Sequence, residues 1–255
     1  DRLQAALRQM SRCPLTLVEA PSGFGKTTAV REYLQTQRPK AVCRWYTCLG
    51  ESAPAAWNGI CGLFAGISGE AADGMKWLEA PTRDTLPFVS DCLRGLACPT
   101  ETYLVVDNYH LMGIDMHREL IRRFAMHQNP NLHIIFITQQ LNFRQQHTAR
   151  DPDICTIGAP SFFFDRRDIA ALLRMEGLRP TPEELDGIFK STAGWISAVR
   201  LQLLHYRETG SFAPSAGTQQ LVEAAVWDHF SPGEKDFMLS VSVFDSFTAD
   251  QAAAM

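Results

Sequence analysis

The run Ala20-Pro21-Ser22-Gly23-Phe24-Gly25-Lys26-Thr27-Thr28 carries the densest chemistry in the sequence. It follows a short apolar segment, Leu15-Thr16-Leu17-Val18-Glu19, and opens a helical pattern at Lys26. A polyphosphate brings several negative charges that must be met away from bulk water. Backbone N–H groups at a helix N-terminus meet them with a favourable dipole. Gly23 and Gly25 let the backbone curl closely around such a group, with Pro21, Ser22, Phe24 and Thr28 completing the loop and Phe24 read as a packing residue. Lys26 supplies a point charge for the β- and γ-phosphates, and the Thr27 hydroxyl is placed to ligate Mg2+. The usual pattern begins with Gly where this chain has Ala20, a change tolerated where the strand leaves in an ordinary conformation.

A phosphate loop of this kind also needs an acidic residue at the end of another strand, to hold the Mg2+ through water. Tyr103-Leu104-Val105-Val106-Asp107 ends in such a carboxylate. The distance along the chain leaves room for the class of sheet in which an extra strand lies between the loop strand and the Asp strand. The next residue is Asn108, which can orient water but cannot accept its proton, so weak hydrolysis or none is expected. A further strand ending Thr138-Gln139 should run beside the Asp strand and turn Thr138 or Gln139 toward the γ-phosphate.

These residues need a scaffold, and the first 160 positions provide its pattern. Strand-like runs at 15–19, 41–47, 103–107, 133–138 and 154–157 alternate with helical patterns starting at Lys26, near Ala53, near Leu86 and near Met116. This is how a parallel α/β sheet with crossover helices reads, and nearly continuous apolar strands imply cover on both faces. Beyond about residue 160 helix-start signals take over: Thr181-Pro-Glu-Glu184, Ser231-Pro-Gly-Glu234 and a weaker one at Thr248. The small, polar stretch from Arg207 to Thr218 reads as a linker, so unit boundaries are expected near 160 and 218.

Four segments (15–28, 104–112, 131–139 and 192–201) resemble, in order and spacing, the nucleotide-binding region of the large ATP-dependent LuxR-type transcriptional regulators, members of the STAND class of signalling ATPases. Phe237 to Asp245 is similar to the opening of the family's winged-helix subdomain. The resemblance implies a P-loop domain at 1–160, an α-helical lid subdomain at 161–217 and the start of a winged helix at 218–255, closing over ATP or ADP. The bound nucleotide would choose between a closed resting state and an open, self-associating one. DNA would be bound only through a C-terminal domain outside this chain.

By matching position, Pro21 to Thr28 would cradle the phosphates, Thr27 and Asp107 would serve Mg2+, and Gly194-Trp195 would begin a lid helix near the base. Arg2 matches an N-terminal Arg near the nucleotide, and His110 a family His. The family commonly carries Asp-Asp where this chain has Asp107-Asn108, and Ser-Arg where it has Thr138-Gln139. Both departures point to a switch that binds and exchanges nucleotide with little turnover. The alternative is a catalytically active P-loop ATPase or phosphotransferase, which needs a second carboxylate and an acceptor site.

Composition sets outer limits. The 255 residues are 45% hydrophobic and 20% charged, as in a folded protein of two or three units. With 24 Lys+Arg against 28 Asp+Glu, net charge −4, no basic run marks direct nucleic-acid binding. No apolar stretch reaches the roughly 20 residues that span a bilayer, and the start lacks a signal peptide, so a cytoplasmic location without membrane partners is expected. The seven cysteines (13, 43, 48, 61, 92, 98, 155) form no Cys-x-x-Cys pair and read as free, mostly buried thiols; the scattered histidines predict no structural metal. The five tryptophans read mostly as core. Asp1 at the start and Met255 in an apparent helix read as the limits of a fragment cut from a larger regulator.

Overall fold

The computed structural model describes residues 2–114, 116–139, 153–212 and 230–242. These fall into two compact units, one of Asp1–Ala20 with Phe24–Phe162, the other of Pro21–Gly23 with the residues from Phe163 onward.

In the first unit, among the described residues, a five-stranded sheet runs in the order β2-β3-β4-β1-β5. Its strands are β1 (Leu15–Glu19), β2 (Val42–Thr47), β3 (Thr102–Asp107), β4 (Leu132–Thr138) and β5 (Ile154–Gly158). All neighbours are parallel. The fold is therefore α/β with the extra strand, β4, between β1 and β3. Glu19 pairs with Thr138, and Thr47 with Asp107, so the strands' C-terminal ends lie along one edge. β3 and β4 are buried along their whole length, as apolar parallel strands with two covered faces must be.

β2 departs from the expected two-sided cover. It is the outer strand, its first two residues are exposed, and the Arg31 guanidinium lies 4.9 Å from the ring centre of Trp45. An edge strand pairs on one side only and so needs less apolar surface.

The helices around this sheet are α1 (Arg2–Leu7), α2 (Lys26–Gln37), α3 (Ala53–Phe64), α4 (Gly69–Lys76), α5 (Leu86–Arg94) and α6 (His117–Ala125). The long pattern near Ala53 divides because Ser68 starts a new helix, its hydroxyl accepting from the Ala71 N–H. α6 turns Leu120, Ile121, Phe124 and Ala125 inward at helical spacing. There Phe124 stacks on Phe64 at 5.9 Å and meets Phe136 of β4 edge-on at 5.5 Å, which locks α3, α6 and the sheet together. Trp57 is in this core, whereas Trp77, 87% exposed, is not.

The second unit contains α7 (Arg166–Met175), α8 (Pro182–Thr192), α9 (Ile196–Thr209) and α10 (Pro232–Val241). Thr181 and Ser231 start α8 and α10 with capping boxes, and Asp165, not singled out from the sequence, does the same for α7 with Asp168. Ile169, Leu173, Ile188, Val199 and Leu203 form the core of α7 to α9. Arg166, half exposed, pairs with Asp186 and lies over Phe189. The linker past 212, the boundary near 218, the winged-helix residues after 242 and the Thr248 helix start lie outside the described residues.

One cysteine reading is corrected. Cys13 and Cys155 form a disulfide across 142 residues, and the other five thiols are free. Cys13 lies just before β1 and Cys155 is the second residue of β5; β1 and β5 are neighbours, and the chain ahead of β1 brings the two Cα atoms to 6.1 Å. Five free thiols are expected on titrating the protein unfolded without reductant, and seven after reduction. Seven in both states would rule the bond out.

Candidate nucleotide-binding site

The strand β1 ends at Glu19 and α2 begins at Lys26. Gly25 caps α2 in the left-handed region, φ 74°, and no side chain caps the helix, so its first-turn N–H groups face a dipole end without a local carboxylate. Ala20 is buried, and its N–H donates to the Thr138 carbonyl at 3.4 Å. The Ala20 carbonyl in turn accepts from Lys26 Nζ at 2.6 Å. Phe24 is buried, as a packing residue should be, while Pro21, Ser22 and Thr28 are exposed.

Burial lowers the Lys26 ammonium from 10.5 to about 8, with Asp107 pulling the other way. The Lys26 site therefore disfavours its own positive charge, and an incoming polyanion would restore it.

Thr27 Oγ1 donates to Asp107 Oδ1 at 3.1 Å, joining the first turn of α2 to the end of β3. Asp107 is buried, its second role being to accept from the Asn108 N–H at 3.0 Å. Asn108 adopts φ 54°, the left-handed conformation that short amide side chains tolerate, and so turns the chain sharply after the strand. Two hard oxygen donors this close to one another suit Mg2+, which fills its remaining positions with waters and phosphate oxygens. Among the described residues no three His, Cys, Asp or Glu side chains gather into another metal centre.

The residues after β3 and β4 meet. His110 Nδ1 accepts from the Gln139 N–H at 3.2 Å, and burial together with the Lys26 charge pushes His110 below the ordinary imidazole value. It thus stays neutral and able to accept. Thr138 Oγ1 is fully buried and, among the described residues, has no hydrogen-bond partner. Arg2 lies exposed at the start of α1.

Gly194 and Trp195 lie in the second unit, immediately before α9. Gly194 has φ 78°, and a Cβ there would fall 2.1 Å from the Phe164 carbonyl oxygen, so only glycine fits. The turn delivers Trp195, 7% exposed, against Gly23 of the same unit, and Ser197 Oγ donates to the Gly23 carbonyl at 2.7 Å. Ser197 was not singled out from the sequence; its only signal was its place two residues after Gly194-Trp195.

The profile of the AAA domain matches residues 8–147, more than half of the chain. The chain belongs to the AAA domain family. Within it, the sequence is similar to the HTH-type transcriptional regulator MalT. It is 25% identical to the Serratia proteamaculans protein, covering 96% of this chain and 29% of that one. It is 24% identical to the Cronobacter sakazakii protein, covering 85% and 24%. The chain thus spans less than a third of the length of these regulators.

Two solved structures share the fold. The Walker-type ATPase of Pyrococcus abyssi matches with TM-score 0.55 and 16% identity, over 95% of this chain and 76% of that one. A STAND protein of Pyrococcus horikoshii with a tetratricopeptide repeat sensor matches with TM-score 0.54 and 15% identity, over 98% and 35%. This AAA domain is a nucleotide-binding region similar to that of MalT, and no helix among its described residues is long and apolar enough to cross a membrane.

The Lys26 environment sets a pH dependence. A phosphate held at Lys26 would raise the lysine's pKa, so above pH 8 its binding would take up a proton, and affinity should fall by up to about tenfold per pH unit until pH 10.5. Below pH 8 the lysine is already charged and contributes no slope. Titrating ADP between pH 7 and 10 checks this, and an equal slope in Lys26→Met would assign the proton elsewhere.

Proposed function

We propose that this chain is the ATP- or ADP-binding switch of a larger transcription regulator, controlling that protein's self-association and DNA binding with little or no hydrolysis. The observation that carries it is the Thr27–Asp107 hydrogen bond beside an uncapped helix N-terminus, with an amide rather than a carboxylate at the next position, Asn108. Similarity to the MalT regulators supports the regulatory part of the reading.

In this reading residues 21–28 wrap the phosphates with backbone N–H groups, and Lys26 exchanges its bond to the Ala20 carbonyl for the β- and γ-phosphates. Thr27 and Asp107 would hold Mg2+. When bound, that ion supplies charge neutralisation for the phosphates. Gln139, whose backbone N–H donates to His110, faces the γ-phosphate. Asn108 orients water without taking its proton, so bound nucleotide persists as a signal. Location in the cytoplasm and DNA contact through a C-terminal domain outside the chain complete the proposal.

Denaturing the purified protein should release about stoichiometric ADP or ATP, and fresh ATP should yield phosphate near background. Turnover above about 1 per second, the ordinary enzyme range, would favour an active ATPase or phosphotransferase instead. Lys26→Ala should abolish nucleotide retention. Asn108→Asp should raise phosphate release, and no change would mean that position 108 does not face the attacking water.

A further inference from the structure

The contact between Ser197 and Gly23 has a directional consequence. Ser197, the second residue of α9, donates to the Gly23 carbonyl across 174 residues of sequence. Gly23 itself is left-handed, φ 75°, and a Cβ there would lie 2.6 Å from Ser197 Oγ and 3.0 Å from the Trp195 ring. The two side chains therefore close on this glycine from one side. In a trans peptide the C=O and the N–H point in opposite directions. Holding the Gly23 oxygen toward α9 turns the N–H of the same peptide, that of Phe24, to the opposite side.

We propose that Ser197 is a positioning residue for the phosphate loop: its hydroxyl presets the Gly23-Phe24 peptide so that the Phe24 N–H is aimed at a nucleotide's phosphate before the nucleotide arrives. Trp195, packed on the same glycine, then reports the loop's state. The inference rests on the nucleotide-binding reading above and adds to it a residue on α9 that sets affinity without touching the ligand. Preorganisation of this kind lowers the ordering cost of binding.

The test compares ADP binding to the parent, Ser197→Ala and Ser197→Thr, together with the melting temperature of each nucleotide-free protein. Because the freed loop must then be ordered on binding, ADP affinity should fall about fivefold in Ser197→Ala, with the melting temperature of the nucleotide-free protein lowered by no more than the few degrees that one neutral hydrogen bond contributes. Ser197→Thr, which keeps the hydroxyl, should restore parental affinity. ADP should also shift tryptophan emission in the parent and not in Trp195→Phe. Parental affinity in Ser197→Ala would overturn the proposal, as would equal weakening in the alanine and threonine variants, which would assign the effect to packing. A parent that binds no ADP would instead sink the nucleotide reading itself, and this inference with it.

Discussion

The hydrogen bond between Thr27 and Asp107 depends on the order of the strands, and most of what the first unit can do follows from that order. Asp107 ends β3, which is two strands away from β1, with β4 between them. Two strand spacings are about 10 Å, more than a threonine and an aspartate bridge by themselves. The loop after β1 and the first turn of α2 must therefore carry Thr27 across the end of β4. The register makes this crossing short, because Glu19 and Thr138 stand opposite one another, so β1 and β4 end together. A slip of one residue would turn every buried side chain of these strands to the other face, which the covered sheet does not allow.

Burial supplies the electrostatic half. Lys26 is drawn out of water toward the Ala20 carbonyl, and its charge is disfavoured there despite the nearby Asp107. A group in that condition gains more from a polyanion than an exposed lysine would, because the desolvation cost is already met in the folded protein. The residue after Asp107 at the end of β3 is an amide, Asn108, and not a second carboxylate. Asn108 adopts the left-handed turn there, and its N–H donates to the Asp107 side chain.

The net charge of −4 and the absence of basic runs describe a domain that spans under a third of its MalT-like relatives, and they leave open the charge of the whole protein. Within the second unit, stability comes from local chemistry as well as packing. Three helices, α7, α8 and α10, begin with capping boxes, each satisfying orphan N–H groups for a gain of about 1 kcal/mol, and α7 to α9 share a modest core of five buried aliphatic side chains. The start of α9 has no side-chain cap, and its second residue, Ser197, meets the Gly23 carbonyl instead.

The sequence by itself determined the local pieces. The glycine-lysine-threonine loop between a strand and a helix, the apolar run ending in Asp107 and the Thr181 and Ser231 caps are short-range patterns, and their physics of period, φ preference and capping acts over a few residues. It also suited a sheet with an extra strand between the loop strand and the Asp strand, and set the strand ending at Thr138 beside the latter; the structure shows that this strand, β4, is the extra one. The tertiary structure decided what depends on which distant residues become neighbours. It made β2 an exposed edge and joined Cys13 to Cys155 because β5 lies in register beside β1. It set His110 against the Gln139 backbone and brought Ser197 to the Gly23 carbonyl. A single hydroxyl or thiol carries no period and no pattern, so its partner becomes visible only when packing brings the two together.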